Sequence, residues 1–350
     1  MKILILKPSS LGDIIHAIPT VHHIRRAHPR AQISWLINDT FAPILNGLAF
    51  VDDIIEFPRA DFGKLRNLPR FRKFCRQLRE RRFDIVLDLQ GLLRSGFLAR
   101  ATRAPRRIGL SDAREGARHF YTEIIPVPKT SMHAVDRYLL ALNALQIPRG
   151  TIEFPLPDSS ETSSWADQFL SNLQSALSPR SSPFIILNPC ARWLTKRWPP
   201  KNFAALITQL AQKIPGVNFV LIGSASDAPI AGQILSALTV QRFNVSTIAN
   251  AVGETSLPQL VELLRRADLV ITNDSGPMHI AAALGKPLVA LFGPTDPVKV
   301  GPYSAHLKDA PFTVLRACAA EAASSPQRRP NGPIEKITVE KVASAVYKRL

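Results

Sequence analysis

Four short segments of the chain carry residue types and spacings suited to holding an anion. They are Lys7-Pro-Ser-Ser-Leu-Gly-Asp13, Lys196-Arg-Trp198, Asp274-Ser-Gly-Pro-Met-His279 and Gly293-Pro-Thr-Asp-Pro297. In the third, the run Leu269 to Thr272 gives way to Asp274 or Ser275 as a helix cap. Pro277 then stands in the first turn, where its missing N–H costs nothing. Backbone amides and the positive end of the helix dipole attract phosphate there. Gly276 permits close approach, and His279 lies in the same turn. A plain N-cap with a surface histidine explains the cap alone. The Gly293–Pro297 turn after the next strand favours phosphate.

The other segments are individually weaker. Lys196-Arg-Trp198 follows the run Phe184 to Leu187 and could neutralise a departing diphosphate, although a loop cation is often only solvated. Gly223-Ser-Ala-Ser-Asp227 is an ordinary turn or a contact to ribose or sugar hydroxyls. In Ser9-Ser10-Leu11-Gly12-Asp13, Gly12 allows a tight backbone. Asp13 is either an acid complementing a helix dipole or a general base taking a proton from an acceptor hydroxyl. Local sequence alone favours the dipole acid.

These segments need elements that aim them. Ile3–Leu6, Gln32–Ile37, Asp53–Phe57 and Asp84–Leu89 read as strands, with shorter ones at Arg107–Leu110 and Thr122–Val127. Helices are expected over Asp13–Ala27 (bent or interrupted at Pro19), Lys64–Arg81 and His133–Leu145. Turn-rich stretches at Pro148–Pro157 and Ser178–Pro183 flank a helix at Glu161–Leu177. A second series follows, with strands Phe184–Leu187, Asn218–Ile222, Leu269–Thr272 and Leu288–Phe292. Its helices are Asn202–Lys213, Ala228–Leu238, Ser256–Arg266 and Pro277–Leu284. Ala317–Pro333 reads as loop and Thr338–Arg349 as a closing helix. Alternation of this kind means βαβ units and parallel sheets, which bind ligands at the carboxyl ends of their strands. The expected organisation is 1–157, 158–183 as a linker region with a helix, 184–335, and a helix at 336–350.

The chain has 350 residues and a formal net charge of +17. Arg59 to Arg107 holds 15 Lys/Arg against four acids, a local excess of 11. Such charge attracts anionic partners, or forms a solvated helix face. Cys75, Cys190 and Cys318 are widely spaced, which suggests neither zinc nor a disulfide framework. Only a four-residue apolar run, Ile3–Leu6, precedes Lys7, too short for a signal-peptide core, and no stretch has the length of a membrane span. A cytosolic protein with reduced thiols is expected. GxGxxG, GxxxxGK[ST] and GxSxG are all missing, which argues against a dinucleotide fingerprint, a Walker NTPase and a hydrolase elbow. Asp-x-Asp is missing too, so a diphosphate-bound metal would lack its usual ligands.

Six blocks in order resemble glycosyltransferase family 9, the ADP-heptose:lipopolysaccharide heptosyltransferases. They are Ile5-Leu-Lys-Pro-Ser-Ser-Leu-Gly-Asp-Ile14, Asp88-Leu-Gln-Gly-Leu-Leu-Arg-Ser95, His133-Ala-Val-Asp-Arg137, Lys196-Arg-Trp-Pro199, Asn273-Asp-Ser-Gly-Pro-Met-His279 and Phe292-Gly-Pro-Thr-Asp-Pro297. The resemblance implies an α/β fold of GT-B type, two Rossmann-like domains with parallel sheets facing across a cleft. The first would bind the acceptor and the second the nucleotide sugar. It implies inverting transfer without metal or other cofactor, with Asp13 as base and Lys196 on the donor phosphate. Ser10, Gly12, Ala191, Arg192, Asp227, Thr255, Asp274, Ser275, Gly276 and His279 would bind the donor. Cys190 and Arg192 depart from the small hydroxyl or glycine residues common in the family after Asn-Pro. The implied partners are ADP-heptose and a lipid-linked anionic glycan, not nucleic acid. The basic stretch could also hold the protein peripherally at the cytoplasmic face of the inner membrane. Two alternatives stay open, another sugar nucleotide with another glycan, or a non-catalytic module binding anionic glycan.

Overall fold

The computed structural model describes residues 1–62, 64–174, 183–240, 248–304, 309–317 and 333–350. The chain divides into two compact units, Met1–Pro157 and Asp158–Leu350. The first comprises β1 (Lys2–Leu6), α1 (Leu11–Ala27), β2 (Gln32–Asn38), β3 (Asp53–Phe57), α2 (Arg59–Phe62), α3 (Leu68–Glu80), β4 (Ile85–Asp88), α4 (Leu93–Ala101), β5 (Arg106–Leu110), β6 (Glu123–Ile125) and α5 (Ala134–Leu139). All its strand pairs are parallel, in the order β3-β2-β1-β4-β5-β6.

Ile3 to Leu6 have no exposed surface, as expected of a central parallel strand covered on both faces. Helix α1 runs through Pro19 without interruption. The proline removes one backbone donor, but Ile14, Ile15, Ile18, Val21 and Ile24 are buried along the helix and hold it in place. The basic helix is shorter than the sequence suggests. It begins as α3 at Leu68, with Pro69 in the first turn, after a tight turn at Leu65–Asn67. Phe71, Phe74, Cys75 and Leu78 pack towards the core, while Arg70, Arg72, Lys73, Arg76 and Arg79 are exposed. The expected helix at His133–Leu145 is α5 followed by a tighter turn, Leu140–Leu145.

The second unit comprises α6 (Ser160–Gln174), β7 (Phe184–Asn188), α7 (Pro200–Lys213), β8 (Asn218–Leu221), α8 (Ala228–Val240), β9 (Ile248–Asn250), α9 (Leu257–Arg266), β10 (Leu269–Asn273), α10 (Gly276–Ala283), β11 (Leu288–Phe292), α11 (Pro297–Val300), β12 (Phe312–Arg316) and α12 (Val339–Tyr347). Its sheet repeats the doubly wound order, β12-β11-β10-β7-β8-β9. Strands β9 and β12 close its two edges and have no counterpart in the sequence reading. Helix α6 is fastened to α9, since Arg266 donates to Asp167 Oδ1 at 2.8 Å and to Ser163 Oγ at 2.8 Å. Val342, Ala343 and Val346 of α12 join the same core as β7 and β10. Most of the Ser178–Pro183 turn, and of the Ala317–Pro333 loop with Cys318, lies outside the described residues. No helix of the described residues is long and apolar enough to cross a membrane.

Each sheet reverses direction of strand addition once, between β1 and β4 and between β7 and β10. Ligands of open α/β sheets bind beyond the carboxyl ends at such a point. The first lies at Lys7 and Asp88–Gln90, the second at Asn188 and Asn273–Ser275.

Candidate active site

In the first unit the chain leaves β1 through Pro8 and Ser9, and Ser10 is the N-cap of α1. The Ser9–Ser10 peptide bond is cis. Asp13 folds back on this cap, and its Oδ2 accepts from the Ser10 N–H at 3.1 Å and the Ser10 hydroxyl at 2.8 Å. That is the dipole-acid arrangement. A second link goes further, because Asp13 Oδ1 accepts from the Tyr138 hydroxyl on α5 at 3.2 Å. A helix cap has no need of that bond.

Around this carboxylate lies a buried polar cluster. Lys7 is only 2% exposed. Its ammonium is 3.3 Å from Gln90 Oε1 and 5.1 Å from the Tyr138 ring centre. Burial pulls its pKa below the ordinary lysine value, and the charge of Asp13 opposes that. Arg137, over the other side of the cluster, forms two bonds of 2.6 Å to Asp112 and lies 5.3 Å from the Tyr138 ring centre. Asp88 ends β4. It accepts from the Tyr121 hydroxyl at 2.7 Å and from the Gln90 and Gly91 amides at 2.9 and 3.0 Å. Burial pushes its pKa up, and these donors hold it back. Gly109 makes room, since a Cβ there would overlap the Tyr121 ring. His133 caps α5 through Nδ1 at 3.2 Å from the Val135 N–H, and its ring centre is 5.0 Å from that of His16.

In the second unit Lys196 and Asp274 form an ion pair of 2.6 Å. A lattice of amides fixes the turn beneath it. Asn188 donates to Thr272 Oγ1 at 2.8 Å and Ser275 Oγ at 2.6 Å. Asn273 accepts from the Trp198 N–H at 3.1 Å and donates to the Pro189 carbonyl at 2.8 Å. Trp198 is fully buried, with its indole N–H on the Ile337 carbonyl at 2.8 Å. Loop 193–198 is thus tied to the end of β10. Ser275 is the N-cap of α10, and Gly276 and Pro277 open that helix. His279 is buried on it.

Beside this turn, Arg197 donates to the Ala191 carbonyl at 2.6 Å and lies 4.0 Å from Asp227 Oδ1. Asp227 Oδ2 in turn accepts from the Ser224 N–H at 3.0 Å and hydroxyl at 2.6 Å. Burial, then the nearby Asp227 charge, pushes the Cys190 thiol up to about 12. The Gly253 N–H reaches the Gly223 carbonyl at 2.9 Å, so the turn before Thr255 lies against the one before Asp227.

Residues 71–319 match the model of glycosyltransferase family 9 (heptosyltransferase). The chain belongs to this family. Lipopolysaccharide heptosyltransferase 1 of Pseudomonas aeruginosa is 31% identical over 311 residues, spanning 87% of this chain and 81% of that protein. Lipopolysaccharide heptosyltransferase 2 of Escherichia coli is 32% identical over 310 residues, 87% and 86% of the two chains. The solved ADP-heptose LPS heptosyltransferase II of E. coli superposes with a TM-score of 0.79 at 28% identity, covering 100% of this chain and 98% of that one. As a family 9 member the chain is a glycosyltransferase, and its two Rossmann-like units are those of the GT-B class.

Within this family 9 chain the structure groups the residues singled out from sequence. Lys196, Asp274, Ser275, Gly276 and His279 gather at the start of α10, with Ala191 and Asp227 joined to the same turns through Arg197. Thr255 lies in the loop after β9, next to Ser256, the N-cap of α9. Arg192 stands apart, exposed, with its guanidinium 5.2 Å from the Trp193 ring centre. Ser10 and Gly12 belong with Asp13 in the first unit. Lys7, Asp88, Gln90, Arg137 and Tyr138 join this site without an individual role in the sequence reading, although all but Tyr138 stand in the blocks that carry the resemblance. Arg197, Asn188 and Asn273 complete the second unit's turn. The second unit gathers cationic side chains at a helix N-terminus, and the first holds an oriented carboxylate.

Proposed function

We propose that the chain transfers heptose from ADP-heptose to the inner core of lipopolysaccharide, with inversion and without a metal ion. The names of the relatives support the donor and acceptor classes. The observation that carries the chemistry is the Lys196–Asp274 pair at the N-terminus of α10. As ADP departs, its diphosphate gains charge and needs preorganised cations and amide dipoles. Lys196 and the positive end of α10 supply these in our reading, and Arg197 adds a second cation near Asp227. No Asp-x-Asp pair occurs in the sequence to hold a diphosphate metal.

The anomeric carbon takes on positive character as the leaving group separates. Asp13 then takes the proton of the attacking acceptor hydroxyl, so that the new bond forms opposite the one that breaks. Ser10 and Tyr138 orient the carboxylate for this step. Ala191, Asp227, Thr255, Ser275, Gly276 and His279 contact the nucleotide sugar in this reading. The charge excess between Arg59 and Arg107 meets the carboxylates and phosphates of a lipid-linked acceptor, at the cytoplasmic face of the inner membrane. The test is turnover with a donor panel, read as nucleoside diphosphate release. ADP-heptose should support transfer to a lipid A–based acceptor far better than GDP- or UDP-sugars. Equal or greater release of GDP or UDP would overturn the donor assignment.

A further inference from the structure

The first unit contains a cavity of about 570 Å³, within the size range of small-molecule sites. Its wall is apolar, built from Leu36, Phe57, Phe71, Phe97 and Leu98. A ladder of rings supports it, because Phe62 packs on Phe57, Phe71 and Phe74, and Phe71 stacks on Phe97 at 5.9 Å. Phe97 and Leu93 are 45% and 50% exposed although they face this cavity. Large apolar side chains left in water beside an apolar hollow mark a place where apolar surface is buried on binding.

Charge identifies the rest of the occupant. Arg59 and Arg94 line the same cavity and are exposed. Phe71 comes from α3, whose outer face carries Arg70, Arg72 and Lys73. One carboxylate, Glu115, also lines the cavity and accepts from the Leu93 N–H at 3.2 Å, so the lining carries two cations to one anion, and the cations of α3 add to the excess. An apolar hollow with such a rim suits an anionic amphiphile, with its tail inside and its phosphate or carboxylate among the arginines. The cavity also adjoins the Asp13 turn, since Pro8 and Ser9 line it and Ser9 precedes the residue that holds Asp13.

We infer that this cavity is an acyl-chain site, which takes one hydrocarbon tail of the anionic, lipid-linked acceptor while Arg59 and Arg94 meet its anionic groups. The inference rests on the acceptor class proposed above. It makes the first unit a reader of the lipid as well as of the glycan.

The test uses hexyl, octyl and decyl phosphate below their micelle concentrations, with inorganic phosphate as baseline, titrated calorimetrically into the whole protein without donor. Affinity should rise roughly fourfold per added methylene, the burial value of a CH2 group. Decyl phosphate should lose at least tenfold in Phe97→Glu and in Leu93→Glu, whose exposed positions spare the core, with melting curves as the check on folding. Alkyl phosphates binding no tighter than inorganic phosphate would overturn the inference, as would a chain-length slope unchanged in folded Phe97→Glu. Transfer by the wild type from ADP-heptose to the acylated, lipid A–based acceptor is measured separately. Its failure would remove the heptosyl reading and leave the chain-length slope standing. Normal transfer beside a flat alkyl series would remove the acyl site alone.

Discussion

The Lys196 ammonium and the Asp274 carboxylate meet at 2.6 Å at the N-terminus of α10, with the carboxylate only 5% exposed. The cation assigned to the leaving diphosphate thus rests on an internal counter-charge. Lys196→Ala removes that cation and leaves Asp274 without it. Turnover should fall by about 100-fold, in line with ~3 kcal/mol for one preorganised stabiliser. Stability should fall as well, by about 1–3 kcal/mol for a buried acceptor losing its donor. Initial rates and denaturant melts check the two effects independently. A rate loss without any loss of stability would mean that the pair contributes nothing to the fold.

Tyr138 gives a narrower test. Its hydroxyl holds Asp13 Oδ1, and its ring lies near both Lys7 and Arg137. Tyr138→Phe keeps the ring and deletes only the bond. The expectation is a kcat lower by about tenfold, the worth of a hydrogen bond to a charged group, with the donor KM unchanged. A change confined to KM would assign Tyr138 to substrate binding instead of positioning the carboxylate.

Gly293 connects the turn after β11 to the Lys196 loop. A Cβ there would lie 2.6 Å from the Thr195 carbonyl oxygen, too close for either backbone to stay in place. Gly293→Ala should weaken ADP binding about tenfold and cost about 1–3 kcal/mol of stability, as overpacking does. Calorimetric titration and thermal unfolding read the two.

Much of this scaffold was legible in the sequence, for identifiable reasons. Central parallel strands are continuous apolar runs, so β1, β4, β7, β10 and β11 announce themselves, and the turns after them carry the Gly, Pro and capping residues. Edges are quieter. Strand β9 has three residues, Ile248-Ala-Asn250, and β12 is only partly buried, so neither offers a hydrophobic run. Asp13 is the instructive case. Local sequence favoured a capping acid, and the cap is present. What distinguishes it is a tyrosine 125 positions away, and no local spacing encodes such a contact. Lys196 and Asp274 were each visible as polar residues in turns. Their direct pairing depends on how Trp198 and Asn273 tie the two turns together, which only the folded chain reveals.

Cys190 offers a pH-dependent test. Its thiol is raised from the ordinary 9.0 to about 12, chiefly by burial and secondarily by Asp227. The folded chain therefore keeps a proton that the unfolded chain releases near pH 9. Stability from this group is complete below that pH and is lost as pH rises towards 12. At pH 8 the native thiol should carry about a thousandfold less thiolate than a free cysteine, and alkylation should be slowed accordingly. Mass spectrometry of iodoacetamide-treated native and unfolded protein measures the ratio. Equal labelling rates would contradict the buried placement.

The most direct test of the account is glycosyl transfer by Asp13→Asn, with ADP-heptose and a lipid A–based acceptor. Asparagine has the size of the carboxylate and keeps one accepting oxygen, for either Ser10 or Tyr138 but not both, and it cannot take the proton of the attacking hydroxyl. The predicted result is a loss of transfer of about 100-fold or more, with ADP binding unchanged by calorimetry. Undiminished transfer in this variant would contradict the assignment of Asp13 as the base.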